Sequence, residues 1–208
     1  MTLLDDLRDH RLLGIIRGTD AAASIDTALA LADEGVRLFE VSLTSADALR
    51  VIETVAARLD GKVQLGAGTV IDPADVARVR DAGATYVVTP AVAPSVEVAV
   101  AGGIPVLCGA LTPTEVVTAV GLGVDGVKIF PASVFGPQYF KDLRAPFPDV
   151  PLIPVGGVGA DAIATYLANG ATAVGVASPL CGDAPNGGDL GELRDRARAF
   201  LDAVRTDR

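Results

Sequence analysis

The chain has no tryptophan, 4% aromatic residues, one histidine, two cysteines and only three lysines in 208 residues. Each shortage excludes something. The single histidine, His10, lies in the opening segment and is expected to be structural, which argues against histidine-based triads and histidine-bearing metal clusters. Cys108 and Cys181 stand far apart with no CxxC or Cys/His spacing, so neither a disulfide framework nor a zinc site is expected. Positive charge is also short: 17 Lys and Arg against 26 Asp and Glu leave a net charge of −9. That balance favours solubility and lacks the basic footprint that nucleic-acid binding needs. The longest uncharged stretch, residues 98–114, is broken by Gly102, Gly103 and Pro105 and is too short for a membrane-spanning helix. The N-terminus carries Asp5 and Asp6 and shows no signal-peptide pattern, so a cytoplasmic protein with no membrane partner is expected.

What is present is a hydrophobic half and 23 glycines, enough for one substantial core and a single domain over residues 1–208. Short apolar runs alternate with Ala-rich helical stretches. Strands are expected at 12–17, 38–43, 63–69, 86–90, 105–108, 126–130, 152–155 and 173–177. Helices are expected near 23–34, 46–59, 73–82, 95–101, 114–122, 138–145, 160–168 and 190–204. Eight strand-helix units in strict alternation, about 26 residues each, predict an α/β fold of the closed (β/α)8 TIM-barrel type. Residues 2–11, with Leu3, Leu4 and Leu7 on one face, predict an extra N-terminal helix closing the barrel floor. Thr112-Pro113, Asp72-Pro73 and Ser178-Pro179 each place an N-cap residue type before a first-turn proline.

One of the three lysines stands inside an apolar run, Gly126-Val127-Lys128-Ile129-Phe130-Pro131. Desolvation disfavours an ammonium, and a neutral amine attacks carbonyls, so Schiff-base chemistry is the first hypothesis. The plainer reading is a solvated strand tip or half of an ion pair.

Barrel enzymes build their sites at the carboxyl ends of the strands. Read in order, those ends are Arg17, Glu40, Thr69, Pro90, Cys108, Lys128, Gly156-Gly157 and Ser178. Strand alternation puts Glu40 on one face with Leu38 and Ser42, and Lys128 on one face with Gly126 and Phe130, the large apolar residues between them pointing to the helix ring. Glu40 and Lys128 are then expected to point into the barrel, as a proton shuttle and a nucleophile or as a structural ion pair. Arg17 suits a substrate carboxylate, or a salt bridge at the rim. Gly66-Ala67-Gly68-Thr69 lacks the third glycine of a dinucleotide fingerprint; its small residues leave room in the lumen, with Thr69 as a hydroxyl donor. Gly156-Gly157 and Ala177-Ser178-Pro179 fit a barrel phosphate site, although glycines also serve tight turns. Cys108 either lines the pocket or packs in the core.

With these residues in hand, the chain resembles the class I aldolases that cleave 2-keto-3-deoxy-6-phosphogluconate and its galactonate epimer. The carriers of the likeness are Ile16-Arg17-Gly18, Phe39-Glu40-Val41, Gly66-Ala67-Gly68-Thr69-Val70, Val88-Thr89-Pro90 and Val127-Lys128-Ile129-Phe130-Pro131. Phe135-Gly136-Pro137-Gln138-Tyr139 and Pro154-Val155-Gly156-Gly157-Val158 extend it nearly end to end. The resemblance implies a homotrimer acting on a small sugar-acid phosphate without metal or organic cofactor. It makes Lys128 the imine-forming lysine and Glu40 the general acid/base. It sets Arg17 and Thr69 at the pyruvoyl carboxylate, Pro90 and Phe130 in the pocket wall, and Gly156, Gly157 and Ser178 at the phosphate. Two positions depart from the pattern. Thr44 stands where some relatives have arginine, and Val155 stands where gluconate-type relatives often have a threonine able to bond the C4 hydroxyl. Two rival readings are a sugar-phosphate isomerase or epimerase without an imine, in which Glu40 is a base and Lys128 stabilises an enediolate, and a non-catalytic phosphometabolite-binding module.

Overall fold

The structure is a computed structural model and describes residues 2–205. Eight parallel strands run in chain order around a barrel: β1 (Leu12–Ile16), β2 (Leu38–Ser42), β3 (Gln64–Gly68), β4 (Tyr86–Val88), β5 (Val106–Ala110), β6 (Gly126–Ile129), β7 (Leu152–Pro154) and β8 (Val174–Val176). β8 pairs with β1. The ring closes between β7 and β8 through a single bridge, Val155 to Gly175, and a bond from the Thr172 N–H to the Leu152 carbonyl at 2.8 Å. Helices separate the strands: α2 (Ala21–Glu34), α3 (Ala48–Leu59), α4 (Pro73–Asp81), α5 (Pro94–Ala101), α6 (Pro113–Gly121), α7 (Gly136–Arg144) and α8 (Ile163–Ala168). A four-residue α9 (Ser178–Cys181) and the long α10 (Leu190–Arg205) follow β8, and α1 (Leu3–His10) precedes β1.

The expected architecture is present, with shifts of one or two residues at element ends. β5 extends to Ala110, two residues past Cys108, the expected end of that strand. Residues 160–162 form a 3₁₀ turn before α8. Thr112 and Asp72 are N-caps as read from the sequence; Thr112 accepts from the Glu115 N–H in a full capping box, and Asp72 accepts from the Ala74 N–H. Ser178 is a correction. Ala177 occupies the cap position and Ser178 is the first helical residue, with no side-chain cap bond.

Two apolar layers follow from strand alternation. The outer layer, between strands and helices, contains Phe39, Val41, Val127 and Ile129. The inner layer fills the lumen with Leu13, Ile15, Leu38, Tyr86, Val88, Leu107, Ile153 and Val155, together with Leu3 and Leu7 of α1. α1 is therefore a plug in the barrel floor, fastened by a Gln64 side-chain amide donating to Asp6 at 2.8 Å. His10 ends that helix, exposed, at the floor end of the molecule. Among the described residues no helix is long and apolar enough to cross a membrane.

Candidate active site

Glu40 and Lys128 stand on β2 and β6, opposite each other in an eight-stranded ring. Both side chains enter the lumen and meet there, Lys128 Nζ lying 3.9 Å from Glu40 Oε1. That is ion-pair range, too long for a hydrogen bond. Glu40 is 1% exposed and Lys128 6%, so neither is a solvated strand tip. The lysine makes no hydrogen bond to a described residue; its other neighbour is the Phe130 ring, with Nζ 5.4 Å from the centroid.

Glycine makes this meeting possible. A β-carbon on Gly68 would stand 2.4 Å from Glu40 Oε1. One on Gly109, which pairs with Lys128 across β5 and β6, would strike the Pro90 carbonyl carbon at 2.2 Å. Burial pushes the Glu40 carboxyl above its ordinary value, against the smaller opposing pull of the Lys128 and Arg17 charges.

Arg17 follows β1 on the parity of Leu13 and Ile15, over the barrel mouth, and is exposed. Among the described residues it forms no salt bridge. Its loop is nevertheless fixed. The Gly18 N–H donates to Ser45 Oγ at 3.3 Å and the Thr19 N–H to Asn186 Oδ1 at 2.8 Å, while Gly18 packs so closely on Pro185 that any side chain would collide with it.

Thr69 is half-buried beyond β3 with φ +60°. Its hydroxyl is 2.9 Å from Ser42 Oγ, which is in turn 2.8 Å from Thr44 Oγ1. This hydroxyl chain ties Thr44, just after β2, to Thr69, just after β3, through Ser42. Pro90 and Phe130 lie on the lumenal parity of their strands, Phe130 at the outer rim with 39% exposure.

Gly156 and Gly157 both adopt positive φ, 96° and 73°. That backbone alone calls for glycine, so the turn is explained with or without a ligand. It packs against Phe130 and Ser133. Ser178 is exposed at the start of α9, just after β8, the strand whose Gly175 bridges Val155 before that turn.

Cys108 does not line the pocket. It belongs to the outer layer, because Leu107 and Gly109 take the inward parity of β5, and its thiol contacts the Ala91 carbonyl at 3.9 Å. Ser42 on the face of Glu40 and Gly68 as open lumenal space stand where the sequence placed them, whereas Tyr86 and Gly109 are site neighbours that sequence reasoning missed. Extending the parity used for Glu40 and Lys128 to every strand would have found them. Among the described residues no group of three or more His, Cys, Asp or Glu side chains is arranged to hold a metal ion.

A family model described as KDPG and KHG aldolase matches residues 4–191. The chain is 35% identical over 198 residues to the probable 2-dehydro-3-deoxy-6-phosphogalactonate aldolase of Rhizobium meliloti (strain 1021), covering 94% of this chain and 93% of that one. It is 35% identical over 163 residues to the 2-dehydro-3-deoxy-phosphogluconate aldolase of Pseudomonas aeruginosa, covering 77% and 74% of the two chains. A solved structure described as native KDPGal superposes with a TM-score of 0.89 at 32% identity, over 94% of this chain and 95% of the other.

Proposed function

The chain belongs to the KDPG and KHG aldolase family, whose members are carbon–carbon lyases, and on that premise we propose its reaction and the side chains that carry it. The substrate is a 2-keto-3-deoxy-6-phospho sugar acid, in the gluconate form, the galactonate form or both, cleaved to pyruvate and D-glyceraldehyde 3-phosphate. Cleavage of 4-hydroxy-2-oxoglutarate to pyruvate and glyoxylate is a further activity to test. The observation that carries this reading is the enclosed lysine amine 3.9 Å from an enclosed carboxylate, facing each other across a glycine-lined lumen.

Arg17 and the Thr69 hydroxyl hold the C1 carboxylate, with Pro90 and Phe130 forming the wall. The Lys128 amine, once deprotonated, attacks C2, and Glu40, directly or through a water, moves the protons that turn the carbinolamine into an iminium and water. The iminium is the electron sink, so the scheme calls on no metal or organic cofactor. Loss of the C4 hydroxyl proton breaks the C3–C4 bond, and its electron pair passes into the enamine while the aldehyde leaves. Protonation at C3 and hydrolysis then release pyruvate and restore the amine. Gly156, Gly157 and the Ser178 segment hold the phosphate through backbone N–H groups. Val155 is apolar and lumenal and offers the C4 hydroxyl no hydrogen bond, so both epimers belong in the assay.

Pyruvate release is measured on both phosphorylated epimers and on 4-hydroxy-2-oxoglutarate, with borohydride trapping in the presence of pyruvate. Cleavage together with a stable adduct on Lys128, lost in Lys128→Ala, supports the reading. Turnover without an adduct, or near-normal cleavage by the variant, overturns the imine route. This reading also includes a cytoplasmic homotrimer. Exposed Ile71 in the loop before α4, Val98 on α5, and Val117 and Val120 on α6 are apolar surface for that assembly, and a monomer by light scattering rejects it.

A further inference from the structure

Tyr86 is the largest fully buried side chain among the described residues, and the proposed reaction does not use it. Strand register sets it level with Glu40: Glu40 pairs with Gly66 across β2 and β3, and Gly66 with Tyr86 across β3 and β4. The Tyr86 ring occupies the space that a Gly66 side chain would fill. Its Cε2 and Cζ lie 2.3 Å from the place of a β-carbon there. The hydroxyl-bearing edge of the ring thus leans over β3 toward the strand that carries Glu40. Tyr86 Oη and Glu40 Oε2 are the two buried side-chain polar atoms with no hydrogen-bond partner among the described residues. One is a donor and the other an acceptor, each costly to leave unpaired.

We propose that Tyr86 is a positioning residue for the acid/base carboxylate, its hydroxyl reaching Glu40 Oε2 through one buried water and leaving Oε1 to face Lys128. The inference rests on the aldolase reading above. Two polar partners are the least that hold a buried water. Burial, then the nearby Glu40 charge, hold the phenol well above its ordinary value, so it stays a donor across the working range. The titratable and charged groups facing Glu40 are then Lys128 from β6, Arg17 from the end of β1 and Tyr86 from β4. A hydrogen bond donated to the ionised carboxylate favours that form. Removing the donor favours protonation.

Tyr86→Phe tests this. Expected are a roughly 10-fold fall in kcat with KM little changed, and an acidic limb of the pH–rate profile moved upward by about half a unit or more. In a Glu40→Gln background the same substitution is expected to cost nothing further, because the group it acts through is gone. An unmoved limb with unchanged kcat, or an equal loss in both backgrounds, overturns the proposal. A crystal structure of the unaltered protein decides independently of activity and of how well the variant folds. A water within hydrogen-bond distance of both atoms supports the bridge, and its absence rejects it. If the unaltered protein cleaves substrate and traps pyruvate while Tyr86→Phe behaves identically, only the tyrosine assignment fails. If it does neither, the aldolase reading fails first.

Discussion

The Glu40 carboxyl lies over Gly68, in space that a β-carbon on that glycine would take, with Oε1 only 2.4 Å from its position. A strand rich in glycine is weak as a strand, yet β3 places Gly66 and Gly68 on the lumenal parity, and each accommodates a large inward side chain from a neighbouring strand. The site is carved by omission on β3 and filled from β2 and β4.

Gly68→Ala is therefore expected to displace the carboxyl. Catalysis should drop by roughly 10²-fold, as for a displacement of about 1 Å in a positioned group, with a stability cost of about 1–3 kcal/mol from overpacking. Gly121→Ala is the control. It lies at the end of α6, and a β-carbon there meets nothing within 4 Å, so activity should hold and stability should stay level or rise. Steady-state kinetics and thermal melts of both variants check the contrast.

Glu40→Gln keeps the shape and removes the charge. Turnover should slow by ~10²–10⁴-fold, as for a lost general acid/base. Because burial holds the Glu40 carboxyl above its ordinary value, the unaltered enzyme should lose kcat/KM as pH falls through that raised value, and the variant should lack this limb. Stability follows the opposite sign. Between the unfolded and the raised native value the folded state binds more protons, so this group's contribution weakens as pH climbs through that window. Melting curves against pH should show that slope in the unaltered protein and not in the variant.

Arg17 is exposed and forms no salt bridge among the described residues, so its removal leaves no partner stranded. Arg17→Ala should raise KM by roughly 10- to 100-fold, the value of a lost charge-assisted hydrogen bond, with an unchanged melting temperature. Arg17→Lys should recover part of it, since a point charge replaces a fork. An unaltered KM in the alanine variant would remove Arg17 from the carboxylate site.

Thr112 caps α6 and shares a capping box with Glu115, whose carboxylate accepts from the Leu111 and Thr112 N–H groups. Thr112→Ala should cost about 1 kcal/mol of stability and leave kinetics untouched. Denaturant unfolding checks this.

The order of elements was legible because each strand announces itself by a short apolar run and each helix by length and composition, both local properties. Glu40 and Lys128 were legible because a charge in such a run has few places to go. Tyr86 was not, because an aromatic in a strand reads as ordinary core until the glycine on the adjacent strand shows which way the ring leans. The Ser42–Thr44–Thr69 hydroxyl chain was hidden for the same reason, since Ser42 and Thr69 are 27 positions apart. Cys108 was misplaced at a strand end because β5 runs on through Gly109 to Ala110; the last inward position of the strand is therefore Gly109, and Cys108 keeps the outward parity of Val106 and Ala110.

The α1 helix, with Leu3 and Leu7 wedged among the lumenal side chains, turns the barrel into a one-ended vessel. Reactants and both fragments share a single doorway. On the proposed mechanism, the pyruvoyl fragment bonded to Lys128 and the freed aldehyde therefore leave by the same route, past the strand ends that carry Arg17, Thr69 and Phe130.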